Sequence, residues 1–541
     1  MKYLRVLAVI LSVVAPCVRS SLPPAEKSYN ILMLLPVASK SHRNVFTPLA
    51  KALDARGHKV VMLSNHPSTF KQSNITIINH GLTDFNIDEM NMFEARTNPS
   101  AGRKIFTTAL PAIAEKLYHV PEVLDLYQRR KEFDLFIVNH MFNEVVYPFV
   151  EDMPFIFIST IGMDPRQSAY MGNPLPTSYA GNMVHDWIPP LTITQRMYNT
   201  FQQISYAFIW RHWQMVPLIE EKLQPQFPSL PPLLDLERNV SLSLLNSHFS
   251  FSQTLPLLPS QVEVGAMHCQ PAPPLQQELR NIIEESPKGV IYFSLGSVAK
   301  GTTMPEKYKN IFVEAFERLD QKVIWKFEEK ISNMPGNILR AKWLPQQSIL
   351  AHPNVLVFIS HAGLLSTQEA IYHGTPVLAL PIFADQPRNG EMISNAGIGL
   401  NLLWEDLTVD LLVDSLNEII HNRKYQDNVN KMSAAIKDQP EHPLDRAIFW
   451  TEYVIRHKGA PQLRSPAAQI SWINFLNLDI LVLAHLALYV IYKLMKVLLK
   501  VTMKILLGIL FSNKPQVTKL ENIKENEDEG DSEEEQKKKE D

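Results

Sequence analysis

The fold is decided by four pieces of sequence that follow one another: VIYFSLGS at 290–297, VIWKF at 323–327, VLVFISHAGLLSTQE at 355–369 and VLAL at 377–380. Each piece contains a short apolar run, and a loop and a helical pattern follow it. Short apolar runs that alternate with helices are typical of buried strands in a parallel sheet. This half of the chain is therefore predicted to be an α/β domain.

The first half opens with a unit of the same kind. Residues 31–35 are predicted to form a buried strand, and residues 60–63 the next one. Between them, Ser41 is predicted to cap a helix that runs to about Arg56, and Gly57 ends that helix. The turn after the first strand lacks the sequence G-x-G-x-x-G, so the pattern does not indicate NAD or FAD binding.

Length and charge limit the possible organisation. The chain has 541 residues, of which 45% are hydrophobic, and its formal net charge is −3. A single core stops growing at about 250–300 residues, so we expect two domains. We place them at 21–254 and 275–464, with the proline-rich segment 255–274 as their linker. A nearly balanced charge does not indicate nucleic acid as a partner.

The amino terminus has the pattern of a secretory signal peptide, predicted at 1–20. Two basic residues, Lys2 and Arg5, precede an apolar run at 6–15. Cleavage would remove Cys17 and leave only Cys269, so no intrachain disulfide is expected. N-glycosylation sequons at Asn74 and Asn239 fit a luminal domain.

The carboxyl-terminal part contains an apolar span at 473–492. This span is long enough to cross about 30 Å of hydrocarbon, so we predict a transmembrane helix there, with a buried core helix as the alternative. The segment 493–512 places four lysines on one helical face and is predicted to be an amphipathic helix on the membrane surface. The lysines orient the tail towards the cytosol.

The last segment, 513–541, is acidic, nearly free of apolar residues and predicted to be disordered. It ends in KKKED, which places lysines third and fourth from the carboxyl end. This ending resembles the dilysine retrieval signal of endoplasmic-reticulum membrane proteins. The expected product is a single-pass protein of the endoplasmic-reticulum membrane with luminal domains and a cytosolic tail.

The second half also carries an ordered series of polar motifs. It reads WLPQQ at 343–347, SHAGLLSTQE at 360–369, GTP at 374–376 and PIFADQPRN at 381–389. These motifs resemble the signature of the UDP-glycosyltransferase family, which includes the UDP-glucuronosyltransferases, and a loop at 172–179 is similar to invertebrate members. The resemblance covers nearly all of the chain. It implies a GT-B-type pair of Rossmann-like domains with a C-terminal transmembrane helix.

The resemblance places a UDP-sugar on the second half. Small residues at strand-to-helix turns let a diphosphate approach free backbone N–H groups. By resemblance, Trp343 stacks on uracil, Gln346 bonds the edge of the base and Glu369 bonds the ribose. On its own, the spacing of Ser366 and Glu369 favours a helix capping box, and the ribose role is preferred only within the full signature. The residues predicted to bind the UDP-sugar are Ser294, Gly296, Ser297, Trp343, Gln346, His361, Gly363, Ser366, Glu369, Asp385 and Gln386.

The first half is expected to supply the base and the acceptor pocket. His42 matches the catalytic histidine of the family, and its position at a helix start favours a neutral imidazole that accepts a proton. Many relatives pair this histidine with an aspartate, but Asn139 stands at that position here. Glu144 is the alternative partner if its loop turns inward, and otherwise a surface residue. Residues 83–118 resemble the part of the family that shapes the acceptor pocket.

The resemblance implies a transferase that moves glucuronate or glucose from a UDP-sugar to a hydroxyl of a small lipophilic acceptor, with inversion. The UDP-sugar is a co-substrate, and neither a metal nor another cofactor is expected. The expected partners are the donor, the acceptor and a membrane, and the sequence leaves open whether the chain forms a homo-oligomer. Because Asn139 carries no charge, the competing hypothesis is a catalytically impaired protein that binds nucleotide-sugars.

Overall fold

A computed structural model describes residues 22–67, 74–85, 91–181, 185–297, 299–331 and 334–512, without the side chains of 99–106 and 472. The predicted signal peptide at 1–20 and the predicted tail at 513–541 with its dilysine ending lie outside the described residues. The compact unit that ends at Gln469 contains two sheets and the helices around them.

The first sheet has seven parallel strands in the order β3-β2-β1-β4-β5-β6-β7. Alternate residues of the inner strand β1 face opposite sides: Leu32 and Leu34 join one apolar cluster, and Ile31, Met33 and Leu35 join the other. The strands are β1 (Asn30–Leu35), β2 (Lys59–Ser64), β3 (Thr76–Asn79), β4 (Leu135–Asn139), β5 (Phe155–Ser159), β6 (Leu242–Leu245) and β7 (Gln261–Glu263).

The second sheet has six parallel strands in the order β10-β9-β8-β11-β12-β13. Numbered from its own first strand, this is the order 3-2-1-4-5-6 of a Rossmann fold. The strands are β8 (Val290–Ser294), β9 (Lys322–Lys326), β10 (Ile338–Ala341), β11 (Val355–Ser360), β12 (Val377–Ala379) and β13 (Gly399–Asn401). The prediction of two Rossmann-like α/β sheets is confirmed.

Helices cover both faces of each sheet, as the apolar clusters on either side require. In the first half they are Lys40–Ala55, Met92–Thr97, Pro99–Lys116, Pro121–Gln128, Tyr147–Val150, Pro165–Met171, Ile193–Ile204, the π-helix Ser205–Met215, Val216–Leu223 and Leu233–Glu237. In the second half they are Gln277–Glu284, Glu306–Glu317, Gln346–Leu350, Leu364–His373, Gln386–Asn395, Val409–His421, Arg423–Lys437 and Pro443–Arg456.

The helix after β1 begins earlier than the sequence analysis places it. Ser39 is its N-cap, because the Ser39 hydroxyl accepts a hydrogen bond from the backbone N–H of His42, whereas Ser41 already belongs to the first turn. The predicted cap at Ser41 is therefore wrong by two residues. Gly57 follows the helix with φ of 88°, a conformation that favours glycine.

The two halves exchange segments. The helix Pro443–Arg456 packs Ala447 and Ile448 into the cluster on one face of the first sheet, although the sequence analysis assigns it to the second domain. Phe93, from the first half, packs against Trp404 in the core of the second sheet. Strand β7 completes the first sheet inside the segment assigned as the linker, 255–274.

The unit from Ile470 onward contains two helices, Trp472–Phe475 and Leu478–Ser512. The second is continuous over 35 residues, since neither glycine nor proline interrupts it before Gly508. The boundary predicted at 492 therefore lies inside one helix. Among the described residues, no helix has both the length and the apolar character required to cross a membrane, in contrast to the prediction for 473–492.

Candidate active site

A cavity of about 590 Å³ lies at the carboxyl ends of the strands of both sheets. Parallel α/β sheets bind their ligands at this edge. His42 from the first half lines the cavity, and so does every residue predicted to bind the UDP-sugar. These are Ser294, Gly296, Ser297, Trp343, Gln346, His361, Gly363, Ser366, Glu369, Asp385 and Gln386.

His361 lies in the turn after β11 and is enclosed by two glycines. A Cβ on Gly363 would lie 2.4 Å from Nε2 of His361, and one on Gly296 would lie 2.6 Å from its Cε1. Glycine is therefore required at both positions to admit the imidazole ring. Burial, with a further contribution from Lys326, lowers the pKa of His361 to about 4, so the ring is neutral at pH 7.

The ring of His361 and the side chain of Lys326 provide polar groups that suit a bound anion. Nδ1 of His361 is buried and has no hydrogen-bond partner within the protein. Lys326, at the end of β9, lines the cavity and donates from Nζ to the carbonyl of Gly296 at 2.8 Å and to Glu328 at 3.0 Å. This side of the cavity therefore combines a cation with a glycine-containing turn, an arrangement that favours phosphate groups.

Trp343 presents its indole to the cavity rather than to a core. Its exposed fraction is 70%, which excludes the ordinary role of a buried tryptophan. Next to it, Gln346 begins the helix Gln346–Leu350, and its amide is held by the hydroxyls of Tyr292 at 3.2 Å and Ser366 at 3.0 Å. A flat apolar face beside a fixed amide is suited to a planar heterocycle.

Glu369 is a buried carboxyl group on the helix Leu364–His373. Its two oxygens accept hydrogen bonds from Nε2 of Gln346 and Nε2 of Gln347. Burial raises the pKa of Glu369 to about 7. The helix begins at Leu364 with Gly363 as its N-cap, so Ser366 caps nothing and the capping-box interpretation is wrong.

Asp385 and Gln386 lie where the helix Gln386–Asn395 begins. The Asp385 carboxylate accepts a hydrogen bond from Nδ2 of Asn389 at 2.7 Å. Asp385 is the N-cap residue of the helix, but its side chain accepts no hydrogen bond from the backbone of the first turn. Burial raises the pKa of Asp385. Gln386 accepts from the backbone N–H groups of Ile382 and Phe383, so its amide nitrogen stays available to a ligand.

His42, from the first half, lines the same cavity as the residues predicted to bind the UDP-sugar. Its ring is half-buried, and its Nδ1 has no hydrogen-bond partner within the protein. Burial lowers the pKa of His42 to about 4, so the imidazole is neutral and able to accept a proton at pH 7. Clefts that combine neutral histidines with carboxyl groups of raised pKa are characteristic of active sites.

Asn139 ends β4, beside the turn that leads from β1 to His42. Its Nδ2 donates to the carbonyls of Val37 at 3.2 Å and Met141 at 3.4 Å, and its Oδ1 is buried without a partner. Asn143 supports the same turn by accepting from the N–H of Val37 at 3.0 Å. The Asn139 amide therefore fixes the backbone before the histidine and forms no hydrogen bond with the ring.

Glu144 neither lines the cavity nor lies on the surface. It is buried, and its Oε1 accepts from Nη1 of Arg211 at 3.4 Å. Arg211 also pairs with Glu237, whose pKa is raised to about 7 by burial. Both interpretations of Glu144 in the sequence analysis are wrong, because the loop after β4 turns this side chain into the core behind the site.

The polar residues of the cavity wall that sequence reasoning missed include Lys326, Gln347 and His268. Lys326 is the penultimate residue of a predicted strand, 323–327, and Gln347 lies in the quoted motif, so both carried a positional signal. His268, whose pKa burial lowers to about 4, lies in the segment assigned as the linker and carried none. The two sequon asparagines, Asn74 and Asn239, are exposed.

Comparison with known proteins agrees with this geometry. A family model described as "UDP-glucoronosyl and UDP-glucosyl transferase" matches residues 32–509. The chain belongs to this family of UDP-glycosyltransferases. It is 31% identical over 522 residues to UDP-glycosyltransferase UGT5 of Dactylopius coccus, covering 92% of this chain and 97% of that relative. It is 28% identical over 478 residues to UDP-glucuronosyltransferase 2B9 of Macaca fascicularis, covering 83% and 89% respectively.

Solved glycosyltransferase structures share the fold of this UDP-glycosyltransferase. The transferase VinC in complex with dTDP aligns with a TM-score of 0.53 and 18% identity, over 79% of this chain and 100% of VinC. Os79 from O. sativa, solved with U2F and a trichothecene, aligns with a TM-score of 0.51 and 15% identity, over 78% and 99%. The expected GT-B arrangement of two Rossmann-like sheets is thereby confirmed, and the chain is a glycosyltransferase enzyme.

Proposed function

We propose that this UDP-glycosyltransferase moves a glucuronosyl or glucosyl group from UDP to a hydroxyl of a small lipophilic acceptor, with inversion at the anomeric carbon. The observation that carries the proposal is the shared cavity. It is lined by His42 of the first half and by residues of the second half that suit a diphosphate, a planar heterocycle and hydroxyl groups. Two walls with different chemistry suit a reaction between two substrates.

In the proposed reaction, Nε2 of the neutral His42 takes the proton of the acceptor hydroxyl. The oxygen then attacks the anomeric carbon from the face opposite UDP, the bond to the diphosphate breaks, and UDP leaves with the electron pair. Asp385 and Gln386 hold the hydroxyls of the sugar, and Glu369 accepts hydrogen bonds from the ribose. This geometry gives a β-glycoside from an α-linked donor.

The charge that develops on UDP needs stabilisation. We assign this role to the turn of His361 and Gly363 and to the Lys326 ammonium group, which are preorganised before the donor binds. The proposed reaction uses the UDP-sugar as a co-substrate and requires neither a metal nor another cofactor. A chelator is accordingly expected to leave transfer unchanged.

The acceptor end of the cavity supports a lipophilic substrate. Apolar side chains of the first half line it, and two of them come from the region 83–118 that the resemblance assigns to the acceptor pocket. They are Phe85, Met92, Met141 and Phe142. Burial of apolar surface in such a pocket is the main source of affinity for a lipophilic hydroxyl compound.

Removal of the indole provides a test of the donor site. We expect Trp343→Ala to raise the KM for the UDP-sugar by about 10- to 100-fold, since stacking of one base on an aromatic ring contributes about 1–3 kcal/mol. Because Trp343 is mostly exposed, folding should be unaffected, as a melting curve would show. Trp343→Phe is the control and should retain most of the affinity. An unchanged KM in the alanine variant would show that uracil does not stack on Trp343.

Asn139→Asp tests why an amide stands beside the histidine turn. An aspartate cannot donate to the carbonyls of Val37 and Met141, so we expect a loss of about 2 kcal/mol in the free energy of unfolding, measured in urea, and no gain in turnover. Asn139→Ala should cost stability as well. If Asn139→Asp kept the stability and turned over faster, the amide of the wild type would be limiting catalysis by the absence of a carboxylate at this position.

That outcome bears on a second candidate function. The amide of Asn139 bonds backbone carbonyls and supplies no charge to steady an imidazolium, which favours a protein that binds UDP-sugars with impaired catalysis. Isothermal calorimetry with UDP, run beside the turnover assay, separates the two candidates. Binding without turnover across a broad panel of acceptors would establish the second.

We propose further that the enzyme resides at the endoplasmic reticulum with both Rossmann-like domains in the lumen. The signal-like amino terminus, the lysine-rich ending and the two sequons support this location, and both sequon asparagines are exposed. Expressed in cells, the protein should lose mass on treatment with endoglycosidase H. The variant Asn74→Gln/Asn239→Gln is the control, and a wild-type mass that does not change would contradict luminal exposure.

A further inference from the structure

The turn after β4 carries an aromatic ring in an uncommon backbone conformation. Phe142 has φ of 58°, in the left-handed region that bulky side chains rarely adopt. Its side chain is half-buried and lines the cavity, as does that of Met141. Residues in this conformation persist only where the surrounding structure holds them, and they cluster at sites that contact ligands. The contacts that hold Phe142 therefore bear on what the cavity binds.

Two asparagines hold the backbone next to this ring. The carbonyl of Met141 accepts hydrogen bonds from Nδ2 of Asn139 at 3.4 Å and from Nδ2 of Asn143 at 2.5 Å. Asn143 also bonds both backbone groups of Val37, accepting from its N–H at 3.0 Å and donating to its carbonyl at 2.9 Å. Because Val37 belongs to the turn that leads from β1 to His42, the ring and the proposed base are carried by one hydrogen-bonded unit.

Buried polar and charged side chains hold both ends of the same turn. At one end, Nε2 of His140 lies 3.0 Å from Oδ2 of Asp164, and Nδ1 of its ring lies 2.8 Å from the hydroxyl of Tyr170. At the other end, Glu144 pairs with Arg211 at 3.4 Å. All five side chains are buried. Because buried charged pairs are costly to break, the turn is fixed at both ends.

Arg166 connects this buried cluster to the aromatic ring. Its Nε and Nη2 donate to Oδ2 of Asp164 at 3.2 and 2.5 Å, and its guanidinium carbon lies 5.1 Å from the centroid of the Phe142 ring. Nη1 of Arg166 is buried and has no hydrogen-bond partner among the described residues. A guanidinium is attracted to the face of an aromatic ring, and the attraction is larger where water is excluded. Arg166 therefore favours one orientation of the ring.

The position of Phe142 distinguishes it from the aromatic residues of the core. Phe136 and Phe149, which stabilise the first half, are fully buried and do not line the cavity. Phe142 is held as firmly as a core residue, yet its side chain forms part of the cavity wall. A side chain that is fixed before the ligand binds loses little conformational entropy on binding, so such a ring is well suited to select a ligand.

We propose that Phe142 is a specificity-determining residue for the acceptor and that Arg166 is the residue that positions it. A planar aromatic acceptor packs against the ring, offset or edge to face, while its hydroxyl group lies towards His42. A saturated acceptor of the same size gains the apolar contact but not the interaction between rings. The chain therefore prefers aromatic to saturated acceptors. This inference rests on the proposed function, because it assigns an acceptor class to the same cavity.

Two acceptors of matched skeleton test the role of the ring. Naphthalenemethanol and decahydronaphthalenemethanol carry the same kind of hydroxyl group, and only the first is aromatic. Phe142→Leu keeps an apolar side chain but removes the ring. We expect it to raise the KM for the aromatic alcohol about fivefold more than the KM for the saturated one, which is the size of one aromatic pair. Phe142→Tyr keeps the ring and should retain the wild-type ratio of the two KM values.

Met141→Leu is the matched control for Phe142→Leu. Met141 lines the cavity next to Phe142 but carries no ring, so its substitution should change the KM for both alcohols by the same factor. A shift of the ratio as large as that in Phe142→Leu would mean that any change in the turn alters selectivity. That result, or an unchanged ratio in Phe142→Leu, would overturn the role of the ring.

Arg166→Lys tests the positioning role. Lysine keeps a positive charge beside Asp164 but loses the planar group over the ring. We expect the KM for the aromatic alcohol to rise about threefold, while the KM for the saturated alcohol and the KM for the UDP-sugar stay unchanged. A lower melting temperature with an unchanged ratio of the two acceptor KM values would show that Arg166 only stabilises the fold.

A binding measurement separates this inference from the proposed function. With UDP bound, calorimetry gives the Kd of each alcohol for the full-length chain without any transfer. We expect the wild type to bind the aromatic alcohol about fivefold more tightly than the saturated one and Phe142→Leu to lose this preference. Equal Kd values in the wild type would overturn the inference even where transfer occurs. If the preference is present but neither UDP-glucose nor UDP-glucuronate supports transfer, the proposed function fails and the role of Phe142 stands.

Discussion

His42→Ala is expected to lower kcat by about 10³-fold while the affinity for UDP stays unchanged, because a positioned general base contributes about 10²–10⁴ in rate. The imidazole has no hydrogen-bond partner within the protein at Nδ1, so its removal breaks no bond at that atom. Product formation by chromatography and UDP binding by calorimetry measure the two effects separately.

Lys51→Ala is the matched control for this variant. Lys51 lies on the exposed side of the same helix, Lys40–Ala55, and should keep turnover within about twofold, as surface changes usually do. If His42→Ala turned over about as fast as Lys51→Ala, His42 would not be the general base.

The pH profile provides an independent readout of the same residue. Burial lowers the pKa of His42 to about 4, and the ring must be neutral to accept a proton. The kcat/KM for transfer should therefore show no loss from the histidine between pH 8 and 5 and fall as the pH approaches 4. An acid limb near the ordinary histidine value of about 6.5 would mean that the base is not buried as the structure has it.

Glu369→Ala is expected to weaken UDP binding by about 100-fold. Hydrogen bonds to a charged acceptor contribute about 1.5–3 kcal/mol, and the substitution also releases the amides of Gln346 and Gln347, which the carboxylate holds in place. Calorimetric titration with UDP measures the loss. Glu369→Gln should be milder, since it keeps an oxygen that accepts hydrogen bonds.

Binding of UDP should also depend on pH through this residue. The pKa of Glu369 is raised to about 7, so the carboxyl is mostly protonated below pH 7 and ionised above it. The ionised form accepts from both ribose hydroxyls, and UDP should bind about tenfold more tightly at pH 8 than at pH 6. In Glu369→Gln that dependence should disappear, and its persistence would assign it to another group.

The strands and the residues that line the second half of the cavity could be predicted from the sequence, because local patterns determine them. Buried parallel strands are continuous apolar runs, and the polar residues directly after them must lie at one edge of the sheet. This reasoning places Ser294, His361 and Asp385 together, and all three line the cavity. It also yields the order of the motifs.

The surroundings of individual side chains were not accessible, because long-range contacts decide them. Nothing near Glu144 in the chain indicates Arg211, which buries it. Gly363 looks like a residue that admits a ligand, but it also admits the ring of His361. The cap at Ser39 rather than Ser41 depends on where the turn after β1 places its hydroxyls.

The exchange of segments between the halves could not be predicted from the sequence either, because long-range contacts decide it. The helix Pro443–Arg456 has an apolar side that its sequence shows, but the sequence does not say which sheet this side covers. In the structure it packs on the first sheet, and Arg56 pairs with Glu452 at 2.6 Å across the exchange. Phe93 makes the reciprocal contact with the second half.

The central claim is that one cavity joins a UDP-sugar to a lipophilic hydroxyl compound and transfers the sugar. The most direct measurement is the release of UDP by the wild-type chain, with UDP-glucose and with UDP-glucuronate, over a panel of phenols and steroids, with the product's anomeric configuration read by NMR. We predict acceptor-dependent UDP release matched mole for mole by a β-glycoside. UDP-sugar binding without release for any acceptor, or an α-glycoside product, would contradict the account.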